Sequence, residues 1–483
     1  MPPEYEVVIG LETHVELLTE SKIFCSCPNR FGEAPNTNVC PVCLGLPGSL
    51  PVFNKNALEL ALRAALALNC TISSYSKFDR KNYFYPDLPK AYQISQYDKP
   101  LARDGYLDLV KDGRLVRTVR IERLHLEEDA GKLLHSSEEA RSYVDYNRCG
   151  VPLVEIVTAP DLRSPEEAHL FLELLRKVLL YTGVSDCKME EGSLRCDANI
   201  SLRLAGSDTL GRKVEIKNMN SFKAVQRGLE YEVNRQEEIL KAGGQVAMET
   251  RRWNEERGIT VEMRGKEEEH DYRYFPEPDL PPIVLNEDFI GEIRSKLPEL
   301  PVQRCFRLIE EYGLSPYQAE IITSSKNLAD YFEETLEHYP QPQKVTNWLI
   351  GDVLGLLNSM GKEINQVTFT PVHLSGLLKL LDTGTLSGRL AKEVLEESFL
   401  TGKHPEEVVQ EKGLAQISDE QKLLPVIDDV LKENSNAVSD YARGNKKTIG
   451  FLVGQVMQRT RGQANPQLVT ELLKKQLDRV EYG

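Results

Sequence analysis

Two kinds of periodicity divide the chain near residue 287. Before that point, several runs alternate between apolar and polar residues, with helical runs between them. An alternating run that forms a strand has one apolar and one polar face, so these runs predict a half-buried sheet. Beyond it, apolar residues recur almost entirely at helical spacing. The pattern predicts an α+β protein with three domains: a sheet domain over 1–287, an all-α helical domain over 288–411 and a helical tail domain over 412–483.

The first alternating run, residues 4–17, carries an acid and a histidine on its polar face. Glu12 and His14 are two positions apart and therefore point the same way from a strand. A surface strand with one wetted face would show the same alternation. This run alone therefore leaves a structural and a functional interpretation open.

A second alternating run, residues 114–128, follows a hairpin turn and leads into the acidic triplet Glu127-Glu128-Asp129. Glu128 shares a strand face with the two leucines before it, whereas Glu127 points to the opposite face. A charged turn would explain the triplet equally well. Functional sites are often built where strands end, and we interpret Glu128 as a metal ligand, with no role for Asp129 or Lys132.

Three more carboxylates lie on predicted strands. Glu155 interrupts an apolar run, where a charge is seldom buried without a partner, and Asp197 and Glu215 lie on polar faces. If these faces share one sheet, the acids converge, and two like charges about 4 Å apart cost on the order of 4 kcal/mol at an effective dielectric near 20. Such a cluster needs cations, and oxygen donors favour Mg²⁺, which suits phosphoryl transfer. The alternative is a solvated polar face.

Residues 77–96 combine basic and aromatic side chains, among them Lys81 and Tyr83, with two prolines that predict a segment without regular structure. Rings beside cations suit a nucleotide or an RNA end, through stacking and phosphate pairing. An aromatic loop packed on a core is the alternative. The nearby Gly131-Lys132 pair lacks the other residues of a Walker phosphate loop.

Four of the nine cysteines form two close pairs, Cys25 with Cys27 and Cys40 with Cys43. Two close pairs separated by a short segment fit tetrahedral Zn²⁺ in a closed structural site, although the one-residue spacer of the first pair is tight. A Cys-x-x-Cys redox pair is the alternative. The other five cysteines are scattered singly and do not suggest a disulfide framework.

Composition narrows the class of protein. The formal net charge of −15 argues against a general nucleic-acid coat protein, but residues 443–479 hold eight basic residues against two acidic ones. That excess suits a basic nucleic-acid surface or an ordinary solvated helix face. No apolar run approaches the ~18 residues that span a bilayer, and the N-terminus has no signal-peptide pattern. We therefore expect a cytoplasmic protein without a membrane partner.

Several motifs together resemble one known family, the B subunits of the bacterial and organellar glutamyl/aspartyl-tRNA amidotransferases. The resemblance runs nearly end to end. Its motifs occupy 8–14, 77–96, 125–132, 152–157, 189–197, 215–218, 271–278 and 462–466.

The resemblance implies an N-terminal catalytic cradle, with an antiparallel sheet similar to that of glutamine synthetase, and a tail domain that contacts tRNA. The activity it implies is ATP- and Mg²⁺-dependent phosphorylation of the side-chain carboxylate of Glu-tRNA(Gln) or Asp-tRNA(Asn), followed by amidation. The implied partners are an amidase A subunit that supplies ammonia, a small C subunit that completes a heterotrimer, and the misacylated tRNA.

The resemblance also implies the roles of individual residues. We expect catalysis by Glu12, His14, Glu128 and Glu155, and Mg²⁺ ligation by these four with Asp197 and Glu215. ATP is expected to contact Lys81, Tyr83, Arg195 and Lys217, and the structural Zn²⁺ is expected on Cys25, Cys27, Cys40 and Cys43. Two alternatives remain from other classes: a tRNA-binding scaffold without its own catalysis, and a free-standing ammonia ligase resembling glutamine synthetase.

Overall fold

The computed structural model describes residues 4–135, 141–265, 271–414, 419–460 and 462–481. The chain forms two compact units, Met1–Arg304 and Cys305–Gly483. The first is built on a large sheet and the second is helical, which confirms the predicted α+β class. Within the described ranges, every helix is too short or too polar to traverse a lipid bilayer.

The first unit contains all the strands of the described residues. In chain order they are β1 (Tyr5–Glu16), β2 (Thr71–Ile72), β3 (Tyr75–Ser76), β4 (Asp79–Asn82), β5 (Tyr92–Ser95), β6 (Ala102–Lys111), β7 (Arg114–Glu128), β8 (Lys132–His135), β9 (Ser142–Asp145), β10 (Pro152–Thr158), β11 (Leu194–Leu204), β12 (Val214–Lys217), β13 (Glu249–Asn254), β14 (Ile259–Gly265), β15 (Phe275–Pro276) and β16 (Ile283–Val284).

Nine of these strands form one sheet, in the order β14, β13, β12, β11, β1, β10, β7, β6, β2. Neighbours in this sheet are antiparallel, as expected, except β12 and β13, which are parallel. A parallel pair needs a long crossover, and helix α3 (Phe222–Lys241) supplies it. The long strand β1 lies at the centre of the sheet, between β10 and β11.

Helices cover one face of this sheet. They are α1 (Lys55–Ala67), α2 (Pro165–Tyr181), α3 and α4 (Glu287–Ser295). Each of the first three begins after a side chain, Asn54, Ser164 or Ser221, that accepts a hydrogen bond from a first-turn N–H group. Their apolar residues share one core with the odd-numbered residues of β1, such as Ile9 and Leu11. The even-numbered residues of β1 are therefore left on the other face.

The described residues of the second unit form helices joined by short connections. Its helices, with α5 beginning just before it, are α5 (Pro301–Tyr312), α6 (Pro316–Ile322), α7 (Lys326–His338), α8 (Pro342–Trp348), a π-helical turn (Leu349–Val353), α9 (Leu354–Met360), a 3₁₀ turn (Ile364–Gln366), α10 (Pro371–Asp382), α11 (Gly388–Thr401), α12 (Pro405–Lys412), α13 (Glu420–Glu433), α14 (Ser435–Ala442), α15 (Thr448–Arg459) and α16 (Pro466–Glu481).

Two separate apolar clusters stabilise this helical unit, one over residues 305–409 and one over residues 423–477. The first unit extends past residue 287 because α4 packs Ile290 and Ile293 into the core beneath the sheet. The division of the chain into three domains at 287 and 411 stays a prediction.

One predicted loop is partly regular. Residues 77–96 contain β4 and β5, which pair with each other, so the expectation of a segment without regular structure was wrong. The reason is local: Pro86 and Pro89 lie in the connection between the strands, where neither removes a ladder hydrogen bond. Strands β13 and β14, at one edge of the sheet, were not predicted from the sequence.

Candidate active site on the polar face of the sheet

A row of directly paired residues crosses four strands on the polar face. His14 on β1 lies opposite Arg195 on β11 and opposite Glu155 on β10, and Glu155 lies opposite His125 on β7. Paired residues on neighbouring strands point to the same side of a sheet. Strand register alone therefore brings two histidines, an arginine and a glutamate together.

Glu127 completes a compact group with His14 and Glu155. One ligand atom from each of these three residues lies within 4.8 Å of the other two. The Nε2 atom of His14 is 3.3 Å from Oε2 of Glu155, and His125 Nε2 is 2.9 Å from Oε1 of Glu127. Two buried carboxylates with an imidazole form a donor set that fits a hard divalent cation.

Hydrogen-bond donors fix the Glu127 carboxylate in place. Ser95 Oγ donates to its Oε1 atom at 2.6 Å, and Gln93 Nε2 donates to Oε2 at 2.9 Å. Both donors come from β5, the strand that was expected to be an irregular loop. Tyr83 Oη donates in turn to Gln93 Oε1 at 3.1 Å.

The pKa shifts in this group favour a protonated His14 beside an ionised Glu155. Burial lowers the pKa of His14, but the hydrogen bond and charge of Glu155 outweigh it and raise that pKa. Burial opposes ionisation of Glu155, yet the charge of His125 and the contact with His14 hold its pKa well below the usual value. Burial and the charge of Glu155 raise the pKa of Glu127, but the hydrogen bond and charge of His125 bring it below the usual value.

Glu128 lies on the other face of β7, and this corrects its expected place among the acids. Its carboxylate pairs with the Lys90 ammonium and accepts a hydrogen bond from the Ile94 amide at 2.8 Å. Strand alternation had placed Glu128 with the leucines, and those leucines are in the core. The acid that joins His14 and Glu155 is its neighbour Glu127. The alternating pattern could have identified Glu127, because it places Glu127 on the strand face opposite the leucines.

The remaining expected acids lie beside the group on the same face. Glu12 is opposite Asp197 on β11, and Asn199 donates to Glu12 Oε1 at 3.2 Å. Burial and the charges of Glu155, Glu215 and Asp197 raise the pKa of Glu12. Lys217 bridges the other two acids, 2.6 Å from Asp197 and 3.1 Å from Glu215.

A second charged cluster, which includes Arg195, lies near Glu16 at the end of β1. Arg195 Nη2 donates to Asp129 Oδ2 at 2.7 Å, and Arg148 Nε is 3.5 Å from the same oxygen. Burial and the charge of Asp129 raise the pKa of Glu16 to about 8. Asp129 had received no role from the sequence, although it follows Glu127 by two residues and so shares its face.

Lys81 and Tyr83 lie with an aromatic group from two segments. The Lys81 ammonium is 4.8 Å from the ring centre of Tyr272, whose ring lies edge-on to Tyr83 at 5.8 Å. Tyr274 also contacts Tyr272, and it stacks on Tyr97 at 4.2 Å. The charges of Glu127 and Glu155 are among the causes that raise the pKa of Tyr274, after burial. This aromatic group therefore borders the acids on the side of β7 and β10.

The four cysteines come together in the first unit. One sulfur from each of Cys25, Cys27, Cys40 and Cys43 lies within 4.8 Å of the others. A hydrogen bond from the Cys25 thiol lowers the pKa of Cys43 to about 5, and the Lys22 ammonium, 3.8 Å from its sulfur, acts in the same direction. Four converging sulfurs with a stabilised thiolate fit a tetrahedral metal site.

Comparisons with known proteins agree with this architecture. Residues 7–291 match the GatB/GatE catalytic domain, and residues 330–477 match the GatB domain. The B subunit of an aspartyl/glutamyl-tRNA(Asn/Gln) amidotransferase from Thermoanaerobacter pseudethanolicus is 59% identical over 99% of this chain and 100% of its own length. Proteins of the same name from Carboxydothermus hydrogenoformans and Thermodesulfovibrio yellowstonii are 58% and 53% identical, each over 98% of this chain and 99% of its own length.

Both domain models match this chain, and the relatives share more than half of their residues with it over nearly their full length. The chain belongs to the GatB/GatE family, as a B subunit of the aspartyl/glutamyl-tRNA(Asn/Gln) amidotransferase type.

Proposed function

We propose that this subunit uses ATP and Mg²⁺ to phosphorylate the side-chain carboxylate of Glu or Asp carried on tRNA(Gln) or tRNA(Asn), and then amidates it with ammonia. The observation that carries the proposal is the group formed by His14, Glu127 and Glu155, whose ligand atoms lie within 4.8 Å of one another. Buried carboxylates held this close favour a cation between them, which is what phosphoryl transfer needs.

Mg²⁺ would be held by His14, Glu127 and Glu155, with Glu12, Asp197 and Glu215 beside them. When bound, it supplies neutralising charge to the phosphates. Glu128 is not among the proposed ligands, because its carboxylate forms an ion pair with Lys90 on the opposite face of β7.

The chain's own cations have separate tasks in this proposal. Lys217, held between Asp197 and Glu215, lies where it can pair with phosphate oxygens beyond the acids. Arg195, fixed by Asp129, lies at the β11 end of the row and would orient the carboxylate that is phosphorylated. Lys81 and Tyr83 would contact the nucleotide or the RNA end from the aromatic side.

The proposed reaction has two steps. A carboxylate oxygen of the aminoacyl group attacks the γ-phosphorus, and the bond to the bridging oxygen breaks, releasing ADP and an acyl phosphate. Ammonia then attacks the acyl carbon, a proton is lost, and phosphate leaves to give Gln-tRNA(Gln) or Asn-tRNA(Asn). Carboxylates and hydrogen-bond donors that are already fixed, such as Glu127 with Ser95 and Gln93, need little rearrangement during the reaction.

Membership of the family suggests the partners and the remaining structural roles. We propose that an amidase A subunit supplies the ammonia, that a small C subunit completes the heterotrimer, and that the sheet is a cradle similar in fold to glutamine synthetase. The basic tail over 412–483 would contact tRNA.

The four cysteines would hold one structural Zn²⁺ ion. We expect elemental analysis of the purified chain to give about one zinc per molecule, and Cys40→Ser to lose the metal and lower the thermal stability. Unchanged metal content and stability in Cys40→Ser would contradict this assignment.

The decisive experiment follows ATP cleavage and acyl phosphate formation by the purified complex, with and without misacylated tRNA. We expect ADP release that depends on Glu-tRNA(Gln) or Asp-tRNA(Asn), and trapping of the acyl phosphate by hydroxylamine. Cleavage that is independent of tRNA would instead favour a free-standing ammonia ligase. A complex that binds tRNA but never cleaves ATP would favour a scaffold role.

A further inference from the structure

Two hydrogen bonds connect the aromatic group to the acids. Tyr83 Oη lies 3.1 Å from Gln93 Oε1, and Gln93 Nε2 lies 2.9 Å from Glu127 Oε2. Tyr83 directly follows β4, and Gln93 lies on β5. A single amide side chain therefore joins a tyrosine that borders the acids to a proposed metal ligand.

The partners of Gln93 fix the direction of both hydrogen bonds. Its Nε2 atom also lies 2.8 Å from the backbone carbonyl oxygen of Glu128, so this atom faces two acceptors and must be the amide nitrogen. The amide oxygen then faces Tyr83, whose hydroxyl donates. Burial, together with the charge of Glu127, raises the pKa of Tyr83, so the hydroxyl keeps the proton that it donates. One arrangement of the amide satisfies all three contacts.

Burial makes the orientation of this amide depend on Tyr83. Gln93 is 7% exposed and Glu127 is 3% exposed, so water does not readily replace a lost partner. A buried polar atom without a partner is costly, and hydrogen bonds to charged groups are stronger than those between neutral groups. Ser95 and His125 contact Oε1 of Glu127, and Gln93 donates to Oε2. By orienting Gln93, Tyr83 therefore helps to set the position of the ligand carboxylate.

The outer end of this chain of hydrogen bonds lies in an aromatic surface that is open to solvent. The Lys81 ammonium is 5.7 Å from the centre of the Tyr83 ring, and that ring lies edge-on to Tyr272. The next two residues, Phe84 and Tyr85, are 82% and 58% exposed and extend the ring surface along the same segment. Single-stranded RNA ends bind by stacking their bases on rings, and several rings beside a cation suit such an end better than one nucleotide.

We propose that Tyr83 and Gln93 are positioning residues for Glu127, and that they link contact of the aminoacyl end of tRNA with the aromatic group to cation binding by the acids. This inference rests on the proposed function. A ligand that fixes Tyr83 would fix Gln93 and Glu127 in turn, so the acids would hold their cation more tightly when the aminoacyl end is present. Because phosphoryl transfer needs the cation, such a link makes ATP cleavage depend on tRNA.

Two variants and one matched control test this link in the purified complex. Tyr83→Phe removes one hydroxyl and keeps the ring, and Gln93→Met keeps the length of the side chain but removes its amide. Tyr146→Phe is the control, because the Tyr146 hydroxyl donates to the Pro86 carbonyl oxygen at 2.9 Å, in the same connection between β4 and β5 but outside the chain of hydrogen bonds. Thermal unfolding verifies that each variant is folded.

The measured quantity is the affinity for Mn²⁺, a spectroscopic substitute for Mg²⁺, from the electron paramagnetic resonance signal of the free ion. It is measured without ATP, in the presence and absence of saturating glutamyl-adenosine with a stable amide link at the 3′ position. This probe carries the aminoacyl group and the terminal nucleoside of the tRNA without the phosphates that would themselves bind Mn²⁺. Adenosine alone is the reference ligand.

We expect the probe to tighten Mn²⁺ binding about fivefold in the parent complex and in Tyr146→Phe, whereas adenosine alone leaves it unchanged. In Tyr83→Phe the probe should tighten it less than about twofold. Gln93→Met should weaken Mn²⁺ binding at least about fivefold without the probe and show no response to it. Should Gln93→Met fail to fold, Tyr83→Phe against Tyr146→Phe still decides the question.

Three outcomes would overturn the link: no effect of the probe in the parent complex, a full effect in Tyr83→Phe, or the same loss in Tyr146→Phe as in Tyr83→Phe. A full effect in Tyr83→Phe would mean that the probe acts on the cation directly, through its own carboxylate.

Acyl phosphate formation by the parent complex separates this link from the proposed function. A parent complex that forms the acyl phosphate but shows no effect of the probe would refute the link and leave the proposed function standing. One that shows the effect but forms no acyl phosphate would refute the proposed function and leave the link standing. One that binds no Mn²⁺ would refute both.

Discussion

Neighbouring residues at the end of β7 have opposite environments. Glu127 faces two histidines and the open side of the sheet, whereas Glu128 faces Lys90 and is shut off from solvent. Both carboxylates are buried, so burial alone does not distinguish a ligand from a structural charge. The two carboxylates differ in their partners. Glu127 contacts the imidazole of His125, which also lies near Glu155, whereas Glu128 pairs with the Lys90 ammonium.

We predict that Glu127→Gln lowers ATP-dependent acyl phosphate formation by at least about 100-fold. The amide keeps the shape of the side chain but removes the negative charge that would hold the cation. Hydroxylamine trapping measures the loss, and binding of misacylated tRNA should remain within about twofold. Full activity in Glu127→Gln would contradict its role as a ligand.

Glu128→Gln should act on stability. The change leaves the Lys90 ammonium buried without its partner, which costs about 3–5 kcal/mol in comparable buried pairs. Denaturant unfolding of the chain measures the effect, and the double variant Glu128→Gln/Lys90→Met should recover most of it. A single variant as stable as the parent would show that the pair contributes nothing.

The sequence predicted that Glu12, His14, Glu128, Glu155, Asp197 and Glu215 share a polar face, and the structure places all of them except Glu128 on one face. It could not predict which of them meet, because strand neighbours depend on contacts between residues far apart in the chain. Gln93 and Ser95 were missed for the same reason. They reach Glu127 from β5, across 32–34 residues of chain.

At the scale of elements, local signals gave the most reliable predictions. The expected hairpin turn joins β6 and β7, and α2 and α3 begin directly after Ser164 and Ser221, residues of a type that favours the N-cap. The short strands β4 and β5 were missed because they are stabilised by pairing with each other and with β15, not by an alternating pattern of their own. Strand β14 at the edge of the sheet and its neighbour β13 carry several charged residues, which hid their periodicity.

The stability of the first turn of α10 is predicted to depend on pH. His373 Nδ1 accepts a hydrogen bond from the Thr370 amide at 3.1 Å, which closes a capping box at the start of α10. Burial, together with the charge of His404, lowers the pKa of His373 despite its contact with the Gly402 carbonyl. The unfolded chain therefore takes up the proton first. Stability is present above the unfolded pKa of about 6.5 and is lost as pH falls below it.

Hydrogen exchange at the Thr370 amide tests this prediction. Protection, corrected for intrinsic exchange, should fall by about 1 kcal/mol between pH 7.5 and pH 5.5, the usual value of a cap. The Ser315 amide is an internal control, since Gln318 closes its box without a titratable group. His373→Gln should make Thr370 protection independent of pH, and a pH dependence that survives in that variant would have another origin.

At the scale of the whole molecule, the chain has more than one core. One apolar cluster lies beneath the sheet, and the helical part holds one cluster over residues 305–409 and another over residues 423–477. Separate cores are expected for a chain of 483 residues, because a single core stops growing well below that length. A core of its own allows the tail to be removed without exposing the apolar residues of the other two.

Truncation after residue 414 should weaken tRNA binding and leave the remainder folded. It removes eight basic residues against two acidic ones between residues 443 and 479, so the dependence of the binding constant on salt should become less steep. Titration of tRNA at several salt concentrations measures both effects, and thermal unfolding reports on the remainder. An unaltered binding curve would contradict a role for the tail in tRNA contact.

The opposite environments of Glu127 and Glu128 also limit how this strand can change in evolution. Inserting or deleting one residue in β7 before the acidic triplet would exchange the two faces, turning the acid that now meets Lys90 toward the histidines. Such a change would spoil a buried ion pair and the acid group in the same step. Change here is therefore confined to substitutions, and alignments of related sequences should carry no gap of odd length through this strand.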